Sequence, residues 1–255
     1  MAAYASAQGN EVISLCRSGA VPSWNGTCIK WSLGQGVPQT ALAAVDCAIH
    51  LAHDFNGVQG AELTIDSTLA AITQLREAGA RRQLFFSSYS AGEHATSLYG
   101  KTKLAIENAL SGQQDVAIVR PGLVLGKGGI YGRIQEWARI LPVIPLPDGG
   151  RGTVPVITIE RLCHEVVNLA HATLPVDEAN LFETCPRSLR QLVIDAAGDV
   201  GRPPWIVPVP SSLIGWGLQV AQILRIPLPI NADNLEGFLA NQNACHVSTL
   251  KDSRT

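Results

Sequence analysis

The chain has 255 residues, of which 46% are hydrophobic and 16% are charged, and its formal net charge at pH 7 is -2. This length fits one large α/β domain with a smaller appendage, and this composition predicts a compact protein with a large buried core. A charge so close to neutral provides no basic surface that would attract nucleic acid, so no nucleic-acid partner is expected.

The six cysteines include no Cys-x-x-Cys pair, and several lie in apolar segments. We therefore expect reduced thiols in the core of a cytoplasmic protein. Residues 1–9 lack the basic and apolar regions of a secretory signal. Gln, Arg and Pro residues interrupt the most apolar stretch, residues 211–230, so integral membrane insertion is not expected, although a helix lying on a membrane surface stays open.

Apolar runs alternate with helical spacing through the first half of the chain. Strands are predicted at residues 11–17, 28–33, 45–52, 83–88 and 116–120, and helices at 60–78 and 97–110. The run at 45–52 is mostly apolar, which is typical of a strand buried on both faces of a sheet. The alternation predicts βαβ units, and therefore a doubly wound parallel sheet with helices on both faces.

Beyond Gly122 the pattern loosens into loops rich in Gly and Pro. We predict helices near 131–140 and 157–172, a strand near 181–184 and a helix from Ser188. The chain is accordingly divided into a sheet domain at residues 1–125 and a mixed region at 126–255 that contains a smaller lobe. Trp205, Trp216 and Phe238 of this region could line a pocket, but packing in the core is the favoured interpretation.

Tyr99 and Lys103 lie four residues apart in the predicted helix 97–110, so their side chains share one helix face. A phenol acts as an acid or base near neutral pH only if a neighbouring cation lowers its pKa, and Lys103 is placed to be that cation. The alternative interpretation of the pair is a solvated helix face with a half-buried tyrosine. Three further groups lie at the carboxyl ends of predicted strands, where parallel sheets bind ligands; they are His50-Leu51-Ala52, Ser87-Ser88 and Arg120-Pro121-Gly122.

Taken together, a strand ending in Ser-Ser, a helix with Tyr-x-x-x-Lys and a strand ending in Arg-Pro-Gly resemble the extended short-chain dehydrogenase/reductase family, the NAD-dependent epimerase/dehydratases. The resemblance covers residues 11–174 and implies a Rossmann-like fold with a dinucleotide-binding domain at 1–125. It also implies a substrate-binding lobe within 126–255. In such an enzyme Tyr99 would be the general acid/base, while Lys103 would lower its pKa and hold the nicotinamide ribose. Ser88, with Ser87 as the alternative, would orient the reacting oxygen.

The resemblance also implies which residues contact the cofactor, NAD or NADP. They are Arg17, His50, Leu51, Ala52, Lys103, Pro121 and Gly122. Arg17 stands where an acidic residue would bind the NAD ribose, so it favours the 2′-phosphate of NADP. For His50 a core histidine bonded to the backbone is at least as good an interpretation. No metal is expected at His50-x-x-His53, because no acidic or cysteine partner has compatible spacing.

The family begins with a strand and a glycine turn that bind the pyrophosphate, whereas residues 1–9 are expected to be the end of the following helix. Two functions stay open. One is an NAD(P)-dependent epimerase, dehydratase or reductase that acts on a hydroxyl or carbonyl carbon, most plausibly of a nucleotide sugar. The other is a non-catalytic relative that has lost dinucleotide binding and serves in binding or assembly. A homodimer is compatible with either function.

Overall fold

The computed structural model describes residues 1–22, 24–43, 45–173, 176–198, 204–210 and 246–250. Within these ranges the helices are α1 (Ala2–Ala7), α2 (Gln39–Leu42), α3 (Gly57–Glu77), α4 (Leu98–Leu110), α5 (Gly129–Ile140), α6 (Ile159–His171) and α7 (Leu189–Ala197). The strands are β1 (Ile13–Cys16), β2 (Thr27–Lys30), β3 (Cys47–His50), β4 (Arg82–Phe86), β5 (Val116–Pro121), β6 (Leu123–Leu125), β7 (Val143–Pro147), β8 (Thr153–Val154), β9 (Val156–Thr158), β10 (Glu178–Leu181), β11 (Arg187–Ser188) and β12 (Trp205–Val209).

A parallel sheet of four strands, in the order β10-β5-β4-β3, forms the centre of the molecule. Leu84 and Val119 point from one face of this sheet into a cluster that includes Val166 of α6. From the other face Phe85 packs against Ile72 of α3. The sheet is therefore covered by helices on both faces, and the predicted α/β class and Rossmann-like architecture are confirmed.

Strands β1 and β2 form a separate parallel pair. Among the described residues neither strand pairs with the four-stranded sheet, although Leu15 of β1 and Ala48 of β3 pack against the same cluster beneath α3. Because β3 is consequently an edge strand, its four residues are only partly buried, and the expectation of a strand buried on both faces is wrong.

Local signals set the ends of the long helices close to where the sequence predicts them. Ser97 caps α4 by accepting a hydrogen bond from the Gly100 amide at 3.1 Å. Helix α3 ends before Gly79, whose φ of 97° favours glycine, but it begins at Gly57, three residues earlier than predicted. Ser188 caps α7 through the Gln191 amide.

A second apolar cluster is built from α5, α7 and the parallel pair β7 and β12. Ile144 and Leu146 of β7 are buried in it, whereas Trp205 of β12 is 79% exposed. The favoured core position for Trp205 is therefore wrong, because its side chain lies on the solvent face of the strand. Trp216 and Phe238 lie outside the described residues.

The cysteines that the structure describes are free thiols. Cys163 is buried and burial raises the pKa of Cys47 to about 11, both as expected of unreactive thiols. Cys185 is exposed, so the expectation that the cysteines occupy the core does not hold there. No helix within the described ranges has the length and hydrophobicity needed to cross a bilayer.

Candidate active site

The candidate site lies at the carboxyl end of β4, where the chain turns toward α4. Residues 88–91 form a tight turn in which the Ala91 amide donates to the Ser88 carbonyl at 3.0 Å. Helix α4 then approaches this turn closely at Gly100, where a Cβ atom would lie 2.6 Å from the Ser90 carbonyl oxygen. A glycine directly after Tyr99 therefore lets the first turn of α4 pack against residues 88–91, which we call the serine loop.

Ser88 is the serine that contacts the tyrosine, because the side-chain hydroxyls of Ser88 and Tyr99 share a hydrogen bond. The Ser88 Oγ also lies 2.8 Å from the Ser90 Oγ and accepts a hydrogen bond from the Ser90 amide. In contrast, Ser87 is buried, and its Oγ has no hydrogen-bond partner among the described residues. The geometry thus favours Ser88 over Ser87.

Lys103 lies one helical turn beyond Tyr99 and is buried, with 2% of its surface exposed. Its Nζ donates a hydrogen bond to the Phe86 carbonyl at 2.7 Å and lies 4.9 Å from the centre of the Phe85 ring. Burial lowers the pKa of Lys103 to about 8, and the nearby Glu107 opposes this effect. The lysine therefore joins α4 to the end of β4.

Burial raises the pKa of Tyr99 above its ordinary value, and the hydrogen bond with Ser88 acts in the opposite direction. The expected lowering of this pKa by Lys103 is not found in the structure. The physical reason is geometric, since the Lys103 Nζ is directed at the Phe86 carbonyl and lies 5.7 Å from the centre of the Tyr99 ring. As the site stands, Tyr99 is a protonated phenol near neutral pH.

Two aromatic side chains from the loop between β3 and α3 cover Tyr99. The His53 ring meets it edge-on with centroids 4.8 Å apart, and the Phe55 ring stacks on it at 5.9 Å. Phe55 is 71% exposed, so it forms an open apolar wall beside the tyrosine. Sequence reasoning missed this wall, because His53 was considered only as a metal ligand and Phe55 lies in a loop without periodicity.

The loop that carries this wall is fixed to the start of α3. The Asp54 amide donates to the Thr64 Oγ1 at 2.9 Å, and that hydroxyl donates to the Gly60 carbonyl at 2.7 Å. A Cβ atom on Gly60 would lie 2.9 Å from the Asp54 carbonyl oxygen, so glycine permits this close approach. The aromatic wall is thereby held in place by α3.

The residues predicted to contact a dinucleotide are only partly brought together. Leu51 and Ala52 are exposed just beyond β3, and Arg17 is exposed just beyond β1. The side chain of His50 is instead directed inward, with its Nε2 2.9 Å from the Gln83 Oε1, and burial lowers its pKa. His50 thus has a structural contact inside the protein, although it bonds a side chain and not the backbone.

Pro121 and Gly122 lie beneath the serine loop. The Pro121 carbonyl accepts a hydrogen bond from the Tyr89 amide at 3.3 Å. A Cβ atom on Gly122 would lie 2.7 Å from the Pro155 carbonyl oxygen, so this segment packs tightly against the chain that follows β8. These two residues support the loop that carries Ser88.

The residues present fit one end of a nicotinamide dinucleotide better than the other. Ser88, Tyr99 and Lys103 converge at the carboxyl end of β4, as a nicotinamide ribose and a reacting carbon require. In the described ranges β1 leads into no helix, and six residues, 51–56, separate β3 from Gly57 at the start of α3, so neither strand shows the short glycine turn that would bind the pyrophosphate. The fit therefore extends to the ribose and nicotinamide only.

No protein-family model and no curated protein matches the chain. Solved structures do match. TunA, described as an NAD-dependent NDP-hexosamine 5,6-dehydratase, is 16% identical with a TM-score of 0.67, over 81% of this chain and 79% of that chain. MoeE5 in complex with UDP-glucuronic acid and NAD is 17% identical with a TM-score of 0.66, over 80% and 79% of the respective chains.

The UDP-glucose 4-epimerase of Thermotoga maritima, solved with UDP-glucose, is 16% identical with a TM-score of 0.65. That match covers 81% of this chain and 80% of the epimerase chain. The chain has the fold of these three proteins. At such identities the Rossmann-like fold is what they share, and the chemistry of this Rossmann-like protein must be argued from its own site.

Proposed function

We propose that this protein is an NAD(P)-dependent epimerase, dehydratase or reductase of the extended short-chain dehydrogenase/reductase family. The observation that carries the proposal is the contact between Ser88 and Tyr99 at the carboxyl end of β4, with Lys103 one turn behind. The fold supports the proposal, because it is shared by a protein described as an NAD-dependent dehydratase and by one described as a UDP-glucose 4-epimerase. Ligands of open parallel sheets bind at this end of the strands.

In the proposed mechanism Tyr99 exchanges a proton with the hydroxyl or carbonyl oxygen of the substrate. Its raised pKa keeps it protonated near neutral pH, so the site as built is ready to protonate a carbonyl oxygen. Ser88 hydrogen bonds the same oxygen and fixes its direction, and Lys103 holds the ribose. A bound nicotinamide would supply the hydride donor or acceptor.

The finer proposals concern the ligands and the organisation of the chain. We propose a nucleotide sugar as substrate, since MoeE5 and the Thermotoga epimerase were solved with UDP-sugars. NADP is the proposed cofactor because Arg17 is exposed at the end of β1, where a guanidinium can bind a 2′-phosphate.

Residues 1–125 would hold the dinucleotide, and a lobe within 126–255 would hold the sugar. The free thiols suit a cytoplasmic protein, with a homodimer still open.

The experiment begins with a thermal-shift screen of both nicotinamide cofactors and a panel of nucleotide sugars, because a ligand that binds the folded state raises the melting temperature. Turnover of the stabilising pair is then followed by nicotinamide absorbance. Tyr99→Phe should lower turnover at least about 100-fold, the size of a general acid/base contribution, and leave cofactor binding nearly unchanged. Tyr4→Phe, on the remote helix α1, is the matched control and should keep full turnover.

Undiminished turnover in Tyr99→Phe would remove this residue from the mechanism. The thermal-shift screen separates the enzyme from the second candidate function. The second function, a non-catalytic binding or assembly protein of the same fold, does not need a dinucleotide at this site. That function predicts no thermal shift with either cofactor, whereas the enzyme requires a shift with at least one of them.

A further inference from the structure

A short segment near the end of the chain, residues 246–250, runs beside β10, and we call it the strap. The Asn180 Nδ2 donates to the Val247 carbonyl at 3.0 Å, and the Thr249 amide donates back to the Asn180 carbonyl at 2.9 Å. Leu250 packs against the apolar cluster under the sheet. The strap is thus joined to the edge of the four-stranded sheet.

His246 begins the strap and reaches past β10 to the serine loop. Its Nε2 donates a hydrogen bond to the Ala91 carbonyl at 2.7 Å. Its ring meets the Tyr89 ring edge-on at 5.3 Å, and Tyr89 in turn meets Phe182 edge-on at 5.1 Å. One side chain therefore contacts the loop through both a hydrogen bond and ring packing.

The contacts of His246 bear on Ser88 because residues 88–91 form one turn. Ala91 closes that turn by donating from its amide to the Ser88 carbonyl, and it is fully buried. The opposite side of the turn rests on α4, where Gly100 permits the close approach to Ser90. A displacement of the Ala91 peptide would therefore move Ser88 relative to Tyr99, whose position is set by α4.

We propose that His246 is a positioning residue, which holds the turn 88–91 so that the Ser88 hydroxyl meets the Tyr99 hydroxyl. The importance of that contact for catalysis rests on the proposed function, but its geometry does not. His246 contacts Ala91 and Tyr89 of the turn, so it acts on Ser88 through the turn. A segment distant in sequence thereby completes the candidate site.

The experiment measures the pKa of Tyr99 directly and needs neither substrate nor turnover, so it can fail independently of the proposed function. All four tyrosines are replaced by 3,5-difluorotyrosine, whose fluorines bring phenol ionisation toward neutral pH, and each is titrated by ¹⁹F NMR. The Tyr99 signal is assigned with Tyr99→Phe. Ser88→Ala should raise the pKa of Tyr99 by about 0.5 to 1, the size expected for one lost hydrogen bond.

His246→Ala should raise the pKa of Tyr99 by a similar amount, and adding it to Ser88→Ala should raise it no further. His246→Phe keeps a ring against Tyr89 but has no donor, so it should act as His246→Ala does in a well-packed protein. His246→Gln retains a donor and should restore the wild-type value. The matched control is Thr249→Val, which removes a strap hydrogen bond to Asn180 and should leave the titration unchanged.

Three results would overturn the proposal. The pKa of Tyr99 could be the same in the His246→Ala and His246→Phe variants as in the wild type. The two substitutions at His246 and Ser88 could add fully, which would show that His246 acts by another route. Thr249→Val could cause the same change as His246→Ala, which would assign the effect to the strap as a whole.

Discussion

Lys103 carries a buried ammonium whose pKa lies at about 8, well below its ordinary 10.5, because burial disfavours the charged form. Below about pH 8 the folded and unfolded states both hold the proton, and burying the charge costs stability. Between about pH 8 and 10.5 the unfolded state holds more protons than the folded state, so this contribution to stability rises with pH.

We therefore expect the wild-type protein to gain stability relative to Lys103→Met as the pH rises from 8 to 10, by about 1 to 3 kcal/mol. Urea unfolding at each pH measures the difference, and the ionisation of Tyr99 and Cys47 largely cancels because both proteins contain these groups. Lys101→Met, which removes an exposed ammonium from the same helix, is the control for the loss of a lysine. A difference that stays constant with pH would contradict the buried-ammonium account.

Substitution by alanine should affect different properties at the two neighbouring serines, stability at Ser87 and turnover at Ser88. Ser87→Ala removes a buried hydroxyl without a described partner, so the free energy of unfolding should stay constant or rise by up to about 1 kcal/mol. Ser88→Ala removes the partner of Tyr99 and should lower turnover with little effect on folding. Thermal unfolding and turnover of both variants check this, and a strongly destabilised Ser87→Ala protein would show that its hydroxyl is bonded.

At the scale of single residues, sequence patterns could place side chains on one face of a helix, but they could not show what those side chains contact. The spacing of Tyr99 and Lys103 placed them on one face of a helix, because that depends only on helical geometry. The partner of the Lys103 ammonium, the Phe86 carbonyl, depends on how α4 lies on the sheet. Phe55 could not be foreseen beside Tyr99, because it lies in a loop and a loop residue has no periodic signal.

Helix α4 and the serine loop pack as two elements with no space for a side chain between them. Alanine in the middle of a helix is normally favoured over glycine by about 1 kcal/mol. At Gly100 the added Cβ atom would lie 2.6 Å from the Ser90 carbonyl oxygen, so Gly100→Ala should instead cost about 1 to 3 kcal/mol and move α4 away from Ser88. Chemical denaturation measures the cost.

Gly36→Ala is the control for this substitution, because Gly36 is exposed outside the helices and strands and a Cβ atom there would meet only the Gln74 side chain, at 3.8 Å. It should change stability by only a few tenths of a kcal/mol. If Gly100→Ala proves as stable as the wild type, α4 and the loop can separate at little cost. The close packing would then contribute little to the position of Tyr99.

At the level of elements, prediction succeeded where the signals were local. The helix predicted at residues 97–110 from its apolar spacing, which includes Ile106 and Leu110, matches α4 to within one residue. The pair of β7 and β12 was missed, because prolines such as Pro145 and Pro208 interrupt the strand pattern. The pairing also joins segments that are about sixty residues apart, and no local pattern reports such a contact.

For the whole molecule, one arginine joins three parts of the chain. Arg120 of β5 binds Glu107 of α4 through two hydrogen bonds at 2.8 and 2.6 Å, and it binds Glu178 of β10 at 2.6 and 3.1 Å. Its hydrogen bonds hold the pKa of Glu178 below the ordinary value of 4.5. The sequence placed Arg120 among the strand-end groups that could meet a ligand, whereas its side chain is fully engaged in structural ion pairs.

Because the pKa of Glu178 is lowered on folding, its ion pair stabilises the protein above about pH 4.5 and ceases to do so as the pH falls through the lowered value. Glu178→Gln should therefore be less stable than the wild type at pH 7, by about 1 kcal/mol for a half-exposed carboxylate, and the gap should close in acid. Urea unfolding from pH 7 to 3 measures it. Glu183→Gln, two residues beyond β10, is the control for the loss of a carboxylate. A gap that persists in acid would contradict the ion-pair account.

The position of β10 at the edge of the sheet has a consequence for how the protein folds during synthesis. Strands β3, β4 and β5 and the helices between them occupy residues 47–121 and can associate as soon as that length has left the ribosome. Strand β10 emerges some sixty residues later, and the strap later still. The nascent chain therefore exposes the free edge of β5 for several seconds, which makes this edge the place where chaperone contact or misassociation would begin.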